Sequence, residues 1–433
     1  MAIFTGVDTD RNGTLEQTEV TQTSYVCNGV PGDLDSELCS SGRIIDGSVV
    51  VAVKADIEAL AGVSCIRGNL IIVGTPLAHL RGLSALHQIG GDLALIANDL
   101  LDSLEGLDGL RRIGRAFSVR DNPTLHTLTG LKVVEDIGTG LTISGCTTLV
   151  ALTGLESLVS ITGGIELSNN PALVDISGLS GLQKSGRDLV FRRNAALGSV
   201  EALVSLERVD GTLEVDDDDA LTEVLLTKLR VVGGRVVVSG NATAARLDLP
   251  ALEQIGGALH VDSNQAIASV TVPELLIAPA SLEFVNNPGL NSVSAGKLVY
   301  LADKLYFFGN RTLSTVEVPN LAAIGGEAYF RGNDLLPRLQ FIKVKSIGGN
   351  LTVIDNKAFG GDFGLEALKT IGGGFYLLNN ATLPAIQGLP GLTNVAGELT
   401  ITGNTLLPNN QAVEFRSRLT VGGDVTIAGN GPD

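Results

Sequence analysis

Residues 90–101 read GGDLALIANDLL, a short alternation bracketed by turn residues. Leu93 and Leu95 alternate with Asp92, Ala94 and Ile96, and a period of two marks a half-buried strand. The Gly90-Gly91 pair before it reads as a corner, where glycine supplies a positive φ at little steric cost. Asn98 closes the strand and Leu101 stands three residues beyond it.

The frame recurs along the chain. Asn98, Asn122, Cys146, Asn170, Asn194 and Asp218 are spaced by 24 residues, and Asn241, Asn264, Asn287, Asn310, Asn333 and Asn356 follow at 23. Asn380, Asn404 and Asn430 complete the series, and Gly74 fills the same place in a first, less regular coil. Inward pairs keep step: Leu141 with Ile143, Leu259 with Val261, Leu351 with Val353, Leu399 with Ile401. Between asparagine and corner lie further apolar residues such as Leu104, Leu107, Leu110 and Ile113. A repeat this short has no room for a long helix, so the fold class is all-β: a parallel β-solenoid of about sixteen leucine-rich coils. The recurrent asparagine is expected to form an internal ladder, its amide satisfying buried backbone groups at each bend. Cys146 and Asp218 depart from it.

The frame L-x-x-I-G-G-x-L-x-I-x-x-N-x-x-L resembles the repeats of receptor L domains, as in insulin- and EGF-receptor ectodomains, and of fungal cell-wall proteins. VPNLAAIGGEAYFRGND (318–334) and LPALEQIGGALHVDSN (249–264) are the closest in style. The likeness runs from about residue 40 to 433. It implies a right-handed solenoid that recognises other molecules and does no chemistry. Lys54–Ala61, with Ile57 and Leu60 on one face, resembles the helical cap that opens such domains, and a disulfide between Cys39 and Cys65 is implied there. Cys146 reads as a buried ladder residue, while Cys27 has no assigned partner. Near the other end, Asn409–Leu419 is expected to form a closing helix N-capped by its asparagines. The chain stopping three residues after Asn430 fits a true end. The expected division is 1–29, a calcium-loop segment; 30–65, an N-terminal cap; and 66–433, the solenoid, with a C-terminal cap near 409–433.

Residues 8–19, DTDRNGTLEQTE, meet the EF-hand loop rule. Asp8, Asp10, Asn12, the carbonyl of Thr14, Glu16 and Glu19 would supply hard oxygens to Ca2+, and Gly13 would allow the sharp turn. Only seven residues precede Asp8, so a lone loop is expected and not a paired hand. The stretch EVTQTSYVCNG (19–29) resembles small tandem modules that precede bacterial surface proteins.

The net charge of −17 argues against a nucleic-acid partner. No apolar run reaches the length of a membrane span, and MAIFTGVDTD lacks the features of a signal peptide. Secretion or display at the cell surface would then involve a processed form. The outward positions are four and two before each ladder residue. They are small or charged early, as at Ala94, Ser118, Thr142, Ser144, Glu166, Ser168 and Arg192, and aromatic later: Tyr306 and Phe308, Tyr329 and Arg331, then Tyr376. This group is the candidate contact patch for a protein or glycan ligand. Asp216, Asp217, Asp218 and Asp219 form an acidic run that could hold a cation or lie open to solvent. His79, His87, His126 and His260 are scattered, which disfavours a zinc site. A polysaccharide-degrading β-helix enzyme is the alternative, but near-constant coil length leaves no inserted loops to wall a cleft. An ice- or mineral-binding face ranks third, because Thr142, Thr352, Thr400 and Thr426 share a column without being consecutive.

Overall fold

The computed structural model describes residue 39 and residues 42–433. These form a parallel β-solenoid divided into two compact units. The first runs to Leu197 and includes Ala202–Leu206; the second comprises Gly198–Glu201 and Glu207–Asp433.

In the first unit, Val49–Val51, Leu70–Val73, Leu93–Ile96, Ala116–Arg120, Gly140–Ser144, Gly164–Ser168 and Leu189–Arg192 pair in parallel, each with the next coil's strand. Register holds column by column, so Leu93, Phe117, Leu141, Ile165 and Leu189 lie over one another. All five are at most 1% exposed, and their neighbours in sequence face out. A second face is built from two-residue strands such as Gln88–Ile89, Arg112–Ile113 and Asp136–Ile137.

The second unit repeats both faces, its longer strands running from Leu213–Asp216 to Val425–Ala428. It adds a third sheet, formed by Val224–Leu225, Arg246–Asp248, Ser269–Thr271, Ser292–Ser294 and Thr315–Glu317. Its interior takes stacked rings in place of leucine: Phe284 on Phe307 at 4.8 Å and Phe307 on Phe330 at 5.4 Å.

The asparagines form the expected seam. In the second unit the N–H of Asn264 donates to Oδ1 of Asn287 (3.0 Å), and its Nδ2 donates to that oxygen and to the carbonyls of Val238 and Asp262. The pattern repeats from Asn241 to Asn404, whose acceptor is Oδ1 of Asn430. The first unit carries the seam through Thr75, Asn98 and Asn122 and through Cys146, Asn170 and Asn194, with Asn122 donating to the Cys146 thiol between them.

Three expectations are corrected. The seam's first member is Thr75 and not Gly74, since the Thr75 N–H and hydroxyl both reach Asn98 Oδ1 at 3.0 Å. The left-handed residue is not the Gly-Gly corner but the position just before the seam: Gly74, Ala97, Asp121, Gly145, Asn169, Gly240, Ser263 and Asn286 all have φ between 50° and 68°. At Gly256, Gly325 and Gly348 the reason for glycine is proximity, because a Cβ there would overlap the preceding coil's carbonyl oxygen. Finally, the helix Asn409–Ser417 takes Pro408 as N-cap, with no side-chain capping bond from its asparagines. Its Ala412 and Phe415 are buried, yet Val425 on the last strand, Val425–Ala428, is 40% exposed. At the other end, the helix Lys54–Glu58 buries Ile57, with Leu60 just beyond it, and Cys39 is disulfide-bonded to Cys65 at a Cα–Cα distance of 5.7 Å.

Candidate recognition surface

The outward side of the second unit's longer strands brings most of the aromatic group together. Alternation sends Leu305 and Phe307 inward and leaves Tyr306 and Phe308 outside; one coil on, Ala328 and Phe330 point in while Tyr329 and Arg331 point out. In-register pairing seats Tyr306 on Tyr329, with ring centroids 4.5 Å apart and planes within 8°. Arg331 sits 5.9 Å from the Phe308 ring centre and forms an ion pair with Asp355 (3.2 Å). A hydrogen bond with the Tyr329 hydroxyl, reinforced by the charge of Asp355, raises the pKa of Arg331. Partial burial raises the Tyr306 phenol, and nearby Glu327 and Glu283 add to the shift.

Tyr376 stands apart. Thr352 occupies the column between it and Tyr329, and Thr352 bonds Glu327 while the Tyr376 hydroxyl donates to Glu398 (3.2 Å). Burial first and that hydrogen bond second raise the Tyr376 pKa. It belongs to the same strip as an outlying member.

The strip is wider than its aromatic residues. Val285, Phe308, Arg331, Ile354 and Leu378 form one outward column across five successive strands, all partly exposed or exposed. Beyond it the face becomes polar again at Thr400 and Thr402. Val285, Ile354 and Leu378 were legible in the frame, since each lies two before its asparagine; attention to aromatic residues alone passes over them.

The other sequence candidates separate. The four aspartates at 216–219 diverge: Asp216 bonds Ser239, Asp218 is fully buried in the seam with its N–H donating to Asn241, and Asp217 and Asp219 are exposed. Among the described residues no group of three or more His, Cys, Asp or Glu is placed to hold a metal ion. His126 pairs with Asp102 and His260 with Glu283 as isolated couples. The threonine column is interrupted by Tyr376 between Thr352 and Thr400. The calcium-loop residues Asp8, Asp10, Asn12, Thr14, Glu16 and Glu19, together with Cys27, lie outside the described residues.

Two features of the second unit were not anticipated. Leu276, Ile277, Val299 and Tyr300 on the short-strand face are 42–50% exposed. Beside them is a shallow hollow of about 380 Å³ lined by Glu253, Gln254, Glu274, Leu276, Ile277 and Lys297. Its acids are engaged, Glu253 with Arg230 and Glu274 with Lys297, so the hollow offers no uncommitted acid–base pair. No helix among the described residues is long and apolar enough to cross a membrane.

A domain of unknown function, DUF7151, matches residues 1–27. No curated protein matches the chain. Among solved structures, the chain is similar to a leucine-rich repeat protein from Bacteroides ovatus ATCC 8483, with 16% identity, 87% of this chain and 86% of that one covered, and a TM-score of 0.22. It is also similar to TLR13 in a complex with ssRNA13, with 11% identity, coverage of 89% and 84%, and a TM-score of 0.16.

Proposed function

We propose that the chain is a non-catalytic recognition scaffold that binds a protein partner through the outward strip Val285–Leu378, and that it works outside the cytoplasm. The observation that carries this reading is the bounded strip itself. An apolar and aromatic patch flanked in its column by Asp262 and Thr402 costs solubility unless something covers it. Tyr and Arg at its centre are the residue types that dominate binding energy in protein interfaces.

A protein suits the strip better than a sugar. The facing sides of Tyr306 and Tyr329 are turned on each other, so the pair offers a partner mainly edges and hydroxyls. Protein hot spots use such edges and hydrogen-bonding tips. The non-catalytic reading is supported by coil spacing that stays between 23 and 26 residues, leaving no long insertion to enclose a substrate. The location is supported by the Cys39–Cys65 disulfide, a bond that persists in oxidising compartments.

A protein and glycan array probed with wild type, Tyr306→Ala and Ile354→Asp tests the surface. The expected outcome is protein hits for the wild type that weaken at least tenfold in both variants. Equal binding by all three, or hits confined to glycans, contradicts the reading.

Calcium binding by Asp8, Asp10, Asn12, Thr14, Glu16 and Glu19 is part of the proposal and is supported by the residue pattern alone. Calorimetric titration of the full chain with Ca2+ is expected to show one site that vanishes in Asp8→Ala and Glu19→Ala. An unchanged signal in both variants rejects it.

A further inference from the structure

The short-strand face of the second unit changes chemistry along two adjoining columns. Glu253, Leu276, Val299, Ala322, Lys345 and Lys369 stack in the first, each N–H donating to the carbonyl of the residue before it. In-register pairing stacks Ile277, Tyr300, Ala323, Ser346 and Thr370 in the second. Both columns are apolar for three coils and then turn polar together, one to lysine and the other to hydroxyls. Leu276, Ile277, Val299 and Tyr300 are all exposed. Charge divides along the same line. At the apolar end the ions are matched, Glu253 with Arg230 and Glu274 with Lys297. At the other end Lys343 donates to the Asn320 side-chain oxygen (2.7 Å), and among the described residues Lys343, Lys345 and Lys369 make no ion pair. Exposed Glu366, three residues before Lys369, pairs with none of them. In a chain of net charge −17, three unneutralised lysines beside an apolar block are a local reversal of sign.

We propose that this face is a second docking surface, distinct from the aromatic strip, and that it takes a protein segment whose apolar side chains adjoin a run of carboxylates. The apolar part covers Leu276, Ile277, Val299 and Tyr300, and the carboxylates meet Lys345 and Lys369. Neighbouring coils lie about 4.8 Å apart, so the track from Leu276 to Lys369 is about 19 Å long and fits roughly six residues of extended chain. The hollow beside Leu276 and Ile277 seats one side chain of that segment. An anionic bilayer would feel the same lysines. The hollow favours a protein, because a flat headgroup layer leaves it unfilled, whereas an inserted side chain fills it as an interface anchor does.

Peptide display on the full-length chain tests this. A random-peptide library is selected on the wild type, and the binders are measured by fluorescence anisotropy against three variants. These are Ile277→Asp, the double variant Lys345→Glu/Lys369→Glu and, as a reference on the aromatic strip, Tyr306→Ala. Ile277, Lys345 and Lys369 are exposed, so unchanged thermal melts are expected to show that the variants fold. A class of selected peptides is expected to join apolar residues to Asp and Glu, to bind the first two variants about tenfold or more weakly, and to bind Tyr306→Ala like wild type. If no selected peptide meets all three conditions, the proposal is overturned. Phosphatidylserine vesicles are the second probe, and the wild type is expected to stay in the supernatant when they are sedimented. Co-sedimentation that Lys345→Glu/Lys369→Glu abolishes would assign the face to a membrane and overturn the proposal as well.

Discussion

Asn264 shows what one seam residue holds in place. Its carbonyl oxygen accepts from both the backbone N–H and the side-chain amide of Asn241, while its own Nδ2 satisfies the carbonyls of Val238 and Asp262. No water can reach these fully buried groups. Asn264→Ala would strand a buried donor and acceptor together, costing about 2–4 kcal/mol, a loss that urea denaturation can read; a change below about 0.5 kcal/mol would deny the seam its role. Cys146 fills the seam differently, with its thiol near the carbonyl of Ser144 (3.6 Å). Burial, the largest influence, pushes its pKa from 9.0 up to about 11. Below pH 9 both folded and unfolded thiols keep their proton and stability is unaffected. Above it the unfolded chain ionises first, so stability falls as pH rises and the loss levels off past about 11. The full effect is on the order of 2–3 kcal/mol. Cys146→Ala should flatten that part of the wild-type pH dependence, and parallel curves for the two proteins would contradict the assignment.

At the scale of the element, the lateral arm follows coil length in all but one case: the 23-residue coil from Asn333 to Asn356 makes only the Arg338–Asp362 bridge. Where seam residues are 23 apart, from Asp218 to Asn333, the arm pairs as a third strand. In the 24-residue coils of the first unit it makes single bridges, as between Thr127 and Ala151. The sequence carried this distinction in alternating stretches such as Ser269-Val270-Thr271, but a three-residue alternation is too short to separate from a turn without its neighbours. The corners show why glycine was read correctly as a requirement and wrongly as to cause. A positive φ and a close backbone approach leave the same residue in the sequence. The left-handed column was also legible, because Asp121, Asn169, Asn286 and Asn379 are side chains that tolerate that conformation. Gly348→Val tests the close approach: its side chain would press on the carbonyl of Gly325, and a loss of about 1–3 kcal/mol is expected in thermal or urea melts. A neutral effect would show that the coils can part to admit it.

For the whole molecule, the regular coil was legible because each layer repeats the same demand: two inward apolar residues, a buried amide and a corner. The candidate surface was only half legible. Tyr306, Phe308, Tyr329 and Arg331 stood out as rare residue types in fixed columns, whereas Val285, Ile354 and Leu378 looked like more of the leucine-rich background until register placed them outside. The exposed group around Leu276 and Tyr300 escaped for the same reason, since apolar residues on a short strand read as core. Exposed strip and buried core are built from the same residue types, and only the side of the sheet separates them. The most direct measurement is amide hydrogen exchange on the chain, alone and saturated with the strongest protein hit from the array. Slowed exchange should concentrate in residues 282–285, 305–308, 328–331, 351–354 and 375–378. Protection falling instead on residues 116–120 and 140–144 in the first unit, with the strip unchanged, would contradict recognition through this surface.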